Sequence, residues 1–223
     1  MTGIDTLLTF IVVIGLIQLA WFSVMLHLRG VSSGLITGAL PPLLSIWVLF
    51  WPIYTNPLST LAGVAIMALA LAACSRMDAF WMRALRSSWS VAPHGLWPLG
   101  LFGTGLTIAC AWFATAPEVG FGVALSLCLA MSAADMLDRT GRLRTSLAVN
   151  PDQTWPGHLL FIAIAALMCA WAMHVYARTG LADFLGLTAI AAAVAGIVRA
   201  CTPRMWHPPL IAIVLGGMLW LGL

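Results

Sequence analysis

The chain has 223 residues, 62% of them hydrophobic and only 8% charged, and a formal net charge of +3. A soluble globule of this size carries roughly 25% charged residues, so the composition excludes one and predicts an integral membrane protein. No nucleic-acid partner is expected.

Taken in chain order, apolar runs fall near 7–26, 35–53, 58–74, 96–116, 119–134, 159–177, 181–198 and 208–223. Each is close to the roughly 17 to 25 residues that cross a bilayer as a helix. They are continuous rather than alternating, which argues against a barrel. The expected fold is therefore an all-α integral membrane protein with about eight transmembrane helices, forming one polytopic domain over 1–223. Seven spans is the nearest alternative.

The first run has no basic segment ahead of it and no small-residue cleavage site, so it reads as a retained helix. Pro41 and Pro42 interrupt the second run and should bend it. After the third comes 75–95, SRMDAFWMRALRSSWSVAPHG, with Phe80, Trp81 and Trp89 among Arg76, Arg83 and Arg86. Arginine and aromatic side chains at helical spacing describe a segment lying in the headgroup layer. The glycines Gly100, Gly103 and Gly105 thin one side of the fourth run for close helix contact.

The ten basic residues are all arginine. An eight-span threading leaves only Arg178 on one side and gathers the others on the opposite side, which predicts that side as cytoplasmic and both termini as non-cytoplasmic. The expected location is a bacterial inner (cytoplasmic) membrane.

Cys74, Cys110, Cys128, Cys169 and Cys201 are dispersed, with no paired spacing, and read as packing residues. His158 and His174 lie sixteen residues apart on one helix. That separates them by about 24 Å along its axis, so they cannot share one haem iron. A haem or quinone module built from His27, His158 or His174 stays open as an alternative. A transporter is disfavoured by the lack of an internal repeat or a mid-span charge.

Charge collects in one place, 135–157, DMLDRTGRLRTSLAVNPDQTWPG, between the fifth and sixth runs. Asp135 and Asp138, spaced i to i+3, fall on one helix face. Two carboxylates at a membrane edge can hold a hard cation such as Mg2+, with phosphates completing its shell. Arg142 and Arg144 follow closely enough to meet those phosphates. The plainer reading is a helix end in which Asp138 pairs with Arg142.

An aspartate at the end of a span, then Gly141-Arg142, then Asn150, Pro151, Thr154, Trp155 and Gly157 leading into the next span, resembles the membrane CTP-dependent transferase superfamily. Its members include phosphatidate cytidylyltransferases and dolichol and phytol kinases. The resemblance covers roughly the motif-bearing half, about 117–223. It implies a CTP-dependent lipid transferase at the cytoplasmic membrane edge, moving a cytidylyl group to a lipid phosphate or phosphorylating a polyprenol-type alcohol. By that resemblance Asp135 and Asp138 are the catalytic and metal-binding residues for Mg2+. Arg142, Arg144, Asn150, Gln153, Thr154 and Gly157 are the nucleotide- and phosphate-binding residues.

The departures from the family pattern are specific. Gln153 stands where the family has lysine, and Pro156 where it has glutamate. Trp206 and His207 replace an Asp-Asn pair, and Val198 or Arg199 replaces an acidic residue. The alternative is thus a catalytically silent relative that serves as a membrane subunit or lipid-binding scaffold, with a membrane lipid, a membrane protein or a second copy as partner.

Overall fold

The computed structural model describes residues 3–140, 146–178 and 180–223; Gly141, Arg142 and Arg144 of the charged segment lie outside the described residues. Among the described residues there is no strand. The helices are α1 (Gly3–Leu28), α2 (Ser33–Leu49), α3 (Thr60–Arg76), α4 (Phe80–Trp89), α5 (Trp97–Thr115), α6 (Pro117–Leu125), α7 (Met131–Thr140), α8 (Trp155–Ala177), α9 (Leu181–Cys201) and α10 (His207–Gly222). Helices α6 and α7 run on through a π turn, Ser126–Ala130, as one rod. With that rod counted once, eight helices among the described residues are long and apolar enough to cross a membrane. They coincide with the eight apolar runs to within a few residues.

Local chemistry sets where the helices stop and start. Helix α1 ends in a Schellman turn: Gly30 is left-handed at φ 85°, its N–H donates to the His27 carbonyl, and the Val31 N–H donates to the Leu26 carbonyl. Glycine adopts that conformation without steric cost. Pro57, Pro98, Pro117 and Pro156 sit in the first turn of their helices, where proline's missing N–H breaks no bond. Pro41 and Pro42 lie inside α2, which is helical across both.

The buried centre is the α6–α7 rod. Val119, Phe121, Val123, Leu125, Leu127 and Cys128 are fully enclosed, facing Phe113 of α5, Phe161 and Cys169 of α8, and Ile211 and Leu215 of α10. A Cβ on Gly120 would overlap the backbone of Phe113, so the α5–α6 corner closes only with glycine there. Helix α1 lies at the periphery, with Ile4, Leu7, Phe10, Ile14 and Ile17 among its exposed side chains.

The amphipathic segment folds as α4. Leu85 and Trp89 pack inward with Cys74 and Leu99, while Phe80 and Trp81 stay exposed and stack edge to face. Arg86 anchors it by donating from Nε to the Cys74 carbonyl and from Nη2 to the Met77 carbonyl. Two further bonds gather helix ends on this side: Ser33 Oγ donates to the Ser87 carbonyl at 2.9 Å, and Arg139 Nη1 to the Gly34 carbonyl at 2.8 Å.

Candidate functional site

The end of α7, the 146–154 loop, the start of α8, the end of α9 and the turn into α10 meet at one end of the bundle. The loop is folded on itself, Leu147 N–H donating to the Gln153 carbonyl and Gln153 N–H to the Asn150 carbonyl. Thr154 then caps α8: its Oγ1 accepts the Gly157 N–H at 3.1 Å, satisfying one of the free amides of the first turn. The same hydroxyl donates to Asp138 Oδ1 at 2.8 Å, and the Thr154 N–H donates to that oxygen at 2.9 Å. Gly157 is required by this fit, since a Cβ there would run into the Asp138 carboxylate and against the Ala134 carbonyl.

Opposite the loop stands Arg199 of α9, whose side chain has no exposed surface. Its Nη2 donates to Asp138 Oδ2 at 2.6 Å and to Asp135 Oδ1 at 3.2 Å. Its Nη1 donates to Gln153 Oε1 at 3.2 Å, and the guanidinium carbon lies 5.7 Å from the centre of the Phe161 ring. The second Asp135 oxygen accepts from Arg204, at 3.0 Å from Nε and 2.9 Å from Nη2. Arg204 also donates to the Asp135 carbonyl at 3.2 Å. Gln153 is buried and faces inward, its Nε2 donating to the Arg199 carbonyl at 2.7 Å and lying 3.3 Å from His207 Nε2. Asn150 closes the outer side by donating to the Thr202 carbonyl at 3.2 Å.

Of the expected site residues, Asp135, Asp138, Gln153, Thr154 and Gly157 converge, and Asn150 braces the loop; Arg142 and Arg144 lie outside the described residues. The expected pairing of Asp138 with Arg142 falls on a residue outside the described ones. Among the described residues Asp138 is matched by Arg199 and Thr154, which come from the other two walls of the site. Arg199, Arg204 and His207 are the residues that sequence reasoning missed as parts of the site. The available signal was an arginine where the resemblance leads one to expect an acid.

The chain has no match among protein-family models, curated proteins or solved structures. What the site can do is therefore a matter of its own chemistry.

Magnesium, implied by the resemblance, needs carboxylate oxygens free to coordinate it and a site with net negative charge. Here all four oxygens of Asp135 and Asp138 are hydrogen-bonded. Among the described residues, the two aspartates and the two arginines bonded to them together carry no net charge. A divalent cation added between them would face two guanidinium groups in a weakly screened interior, where such repulsion is strong. Among the described residues no group of three or more His, Cys, Asp or Glu side chains converges to hold a metal. In this arrangement the residues do not fit the ion, and Arg199 stands in its place as the cation shared by the two carboxylates.

Proposed function

We propose that this chain is a catalytically silent relative of the membrane CTP-dependent transferases, serving as a membrane-embedded subunit or lipid-binding scaffold rather than as an enzyme. The observation that carries this reading is the Arg199 guanidinium, fully enclosed and bonded to both Asp135 and Asp138. A catalytic carboxylate pair must be able to exchange its partners for substrate and metal. This one is neutralised, and its loop glutamine is turned inward to accept from Arg199 Nη1.

In this reading Arg29, Arg76, Arg83, Arg86, Arg139, Arg199 and Arg204 mark the cytoplasmic end, and Arg178 the opposite one, with both termini outside. The exposed Phe80 and Trp81 of α4 lie in the cytoplasmic headgroup layer, the favoured depth for aromatic side chains beside arginine.

The test is incubation of the purified protein in lipid vesicles with labelled CTP and Mg2+, alongside Asp135→Asn. The expected result is no label in lipid from either protein and no CTP-induced rise in thermal stability. Label transfer that depends on Asp135 overturns the proposal in favour of an active lipid transferase, cytidylyl or phosphoryl according to the product. That second reading is favoured by one observation, the Thr154 cap on α8 beside Asp138, because a helix N-terminus is an anion site when its cap opens to ligand.

A further inference from the structure

Gln18 stands on α1 fifteen residues after Gly3 and ten before Leu28, which puts it about 4 Å from the middle of the span at 1.5 Å per residue. It is exposed, it makes no hydrogen bond within the described residues, and it lines an apolar groove of about 680 Å³ between α1 and α2. A primary amide at this depth has neither water nor lipid to bond, and leaving it unpaired in hydrocarbon is costly.

We infer that the α1 face carrying Gln18 is the interface of a homodimer, in which the amides of two copies bond each other across a two-fold axis along the membrane normal. Copies of one chain insert with the same orientation, so identical residues lie at identical depth, and a two-fold axis brings Gln18 opposite Gln18. The amide is self-complementary, its NH2 donating and its carbonyl accepting, so the pair forms two reciprocal bonds.

The surroundings of Gln18 fit the same partner. Ile11, Gly15, Gln18 and Phe22 follow one another at spacings of four, three and four, the seam by which two helices supercoil. A Cβ on Gly15 would meet nothing within 4 Å in the single chain, so glycine is not needed there for the monomer's own packing. It leaves room for a second backbone beside Gln18, as small residues do where membrane helices cross closely. Leu43 and Ile46 of α2, both exposed, form the far wall of the groove and accept the partner's Ile11 and Phe22.

The test uses the full chain carrying donor or acceptor dyes on a C-terminal tag, in phosphatidylcholine–phosphatidylglycerol vesicles at graded protein-to-lipid ratios, with energy transfer reporting association. The native chain should associate as a dimer. Gln18→Leu should raise the dissociation constant roughly tenfold, the scale of one or two interhelical hydrogen bonds. Gln18→Asn should largely restore association, and Gly15→Ile should abolish it. Leu69→Ala, on the exposed face of α3, should leave it unchanged. Thermal unfolding of Gln18→Leu in detergent, below the dimerising concentration, should match the native chain, which separates lost association from lost folding. A monomer at every density, or a dimer indifferent to both Gln18→Leu and Gly15→Ile, overturns the inference. So does recovery of Gln18 only at a contact with a different protein.

Discussion

Arg199 Nη2 and Asp138 Oδ2 lie 2.6 Å apart, on side chains that are 0% and 1% exposed. Sixty-one residues of chain separate them. A buried pair of this kind contributes little against a well-packed apolar pair, because removing two charges from water offsets most of their attraction. Removing one partner alone is costly, because it strands the other charge.

Arg199→Met should therefore lower unfolding free energy in detergent by about 3 to 5 kcal/mol, and Asp138→Asn by a comparable amount. The double variant Arg199→Met/Asp138→Asn should recover part of the loss, which a double-mutant cycle measures. Additive losses would mean that the two residues do not act on each other. Arg204→Ala offers the contrast: its side chain is 34% exposed and that of Asp135 is 21% exposed, so the expected loss is only about 1 kcal/mol or less.

Gln153 is coupled to the same arginine in a way that forbids the lysine of the resembling family. Its Oε1 accepts from Arg199 Nη1 while its Nε2 donates to the Arg199 carbonyl. Lysine has no acceptor and would bring a second cation against the guanidinium. Gln153→Lys should lower the thermal midpoint in detergent, with a stability loss of at least about 1 to 3 kcal/mol. The same change made on an Arg199→Gln background should cost clearly less. An equal cost on both backgrounds would show that Gln153 and Arg199 are not energetically coupled.

The eight helices long and apolar enough to span a bilayer among the described residues are legible in the sequence because each is a continuous apolar run, a property that a single segment has alone. The charged loop is legible for a similar reason, since Asp135, Asp138 and the loop are neighbours in the chain. The partners of those carboxylates are not. Arg199 and Arg204 lie 61 to 69 residues beyond them, and read along the chain they are simply cationic residues at the edge of a span. Only the approach of α9 to α7 turns Arg199 from a marker of topology into the centre of the site. The same holds for Gln153, whose inward orientation has meaning only once Arg199 is in place.

The Thr154 cap tests whether the loop is held by local or by long-range bonds. Thr154→Ala removes the acceptor for Gly157 N–H and one of two donors to Asp138 Oδ1, so a loss of about 1 to 2 kcal/mol is expected in thermal or chemical unfolding. Thr154→Ser should restore most of it. Gly157→Ala should cost more than Thr154→Ala, because the added methyl has to displace the Asp138 carboxylate itself. If Gly157→Ala proves neutral, Asp138 is not seated against α8 in the way described.

If Arg199 takes the place of a cation, removing its charge should create a cation site. The native cluster has two aspartates and two arginines and no net charge. Arg199→Gln leaves it with one net negative charge and frees Asp135 Oδ1 and Asp138 Oδ2. Such a pair is short of cationic partners in a poorly screened environment, and hard divalent ions bind carboxylate oxygens of this kind. Mn2+ supplies a spectroscopic readout for the same ligand chemistry. The native protein should show no saturable Mn2+ signal by electron paramagnetic resonance, and Arg199→Gln should show one that Mg2+ displaces. Adding Asp138→Asn to Arg199→Gln should remove it again. Mn2+ binding should also raise the thermal midpoint of Arg199→Gln, because a ligand that binds only the folded state stabilises it. Saturable binding to the native chain that depends on Asp135 would show that the arginine yields its position to metal, and would overturn the silent-scaffold proposal.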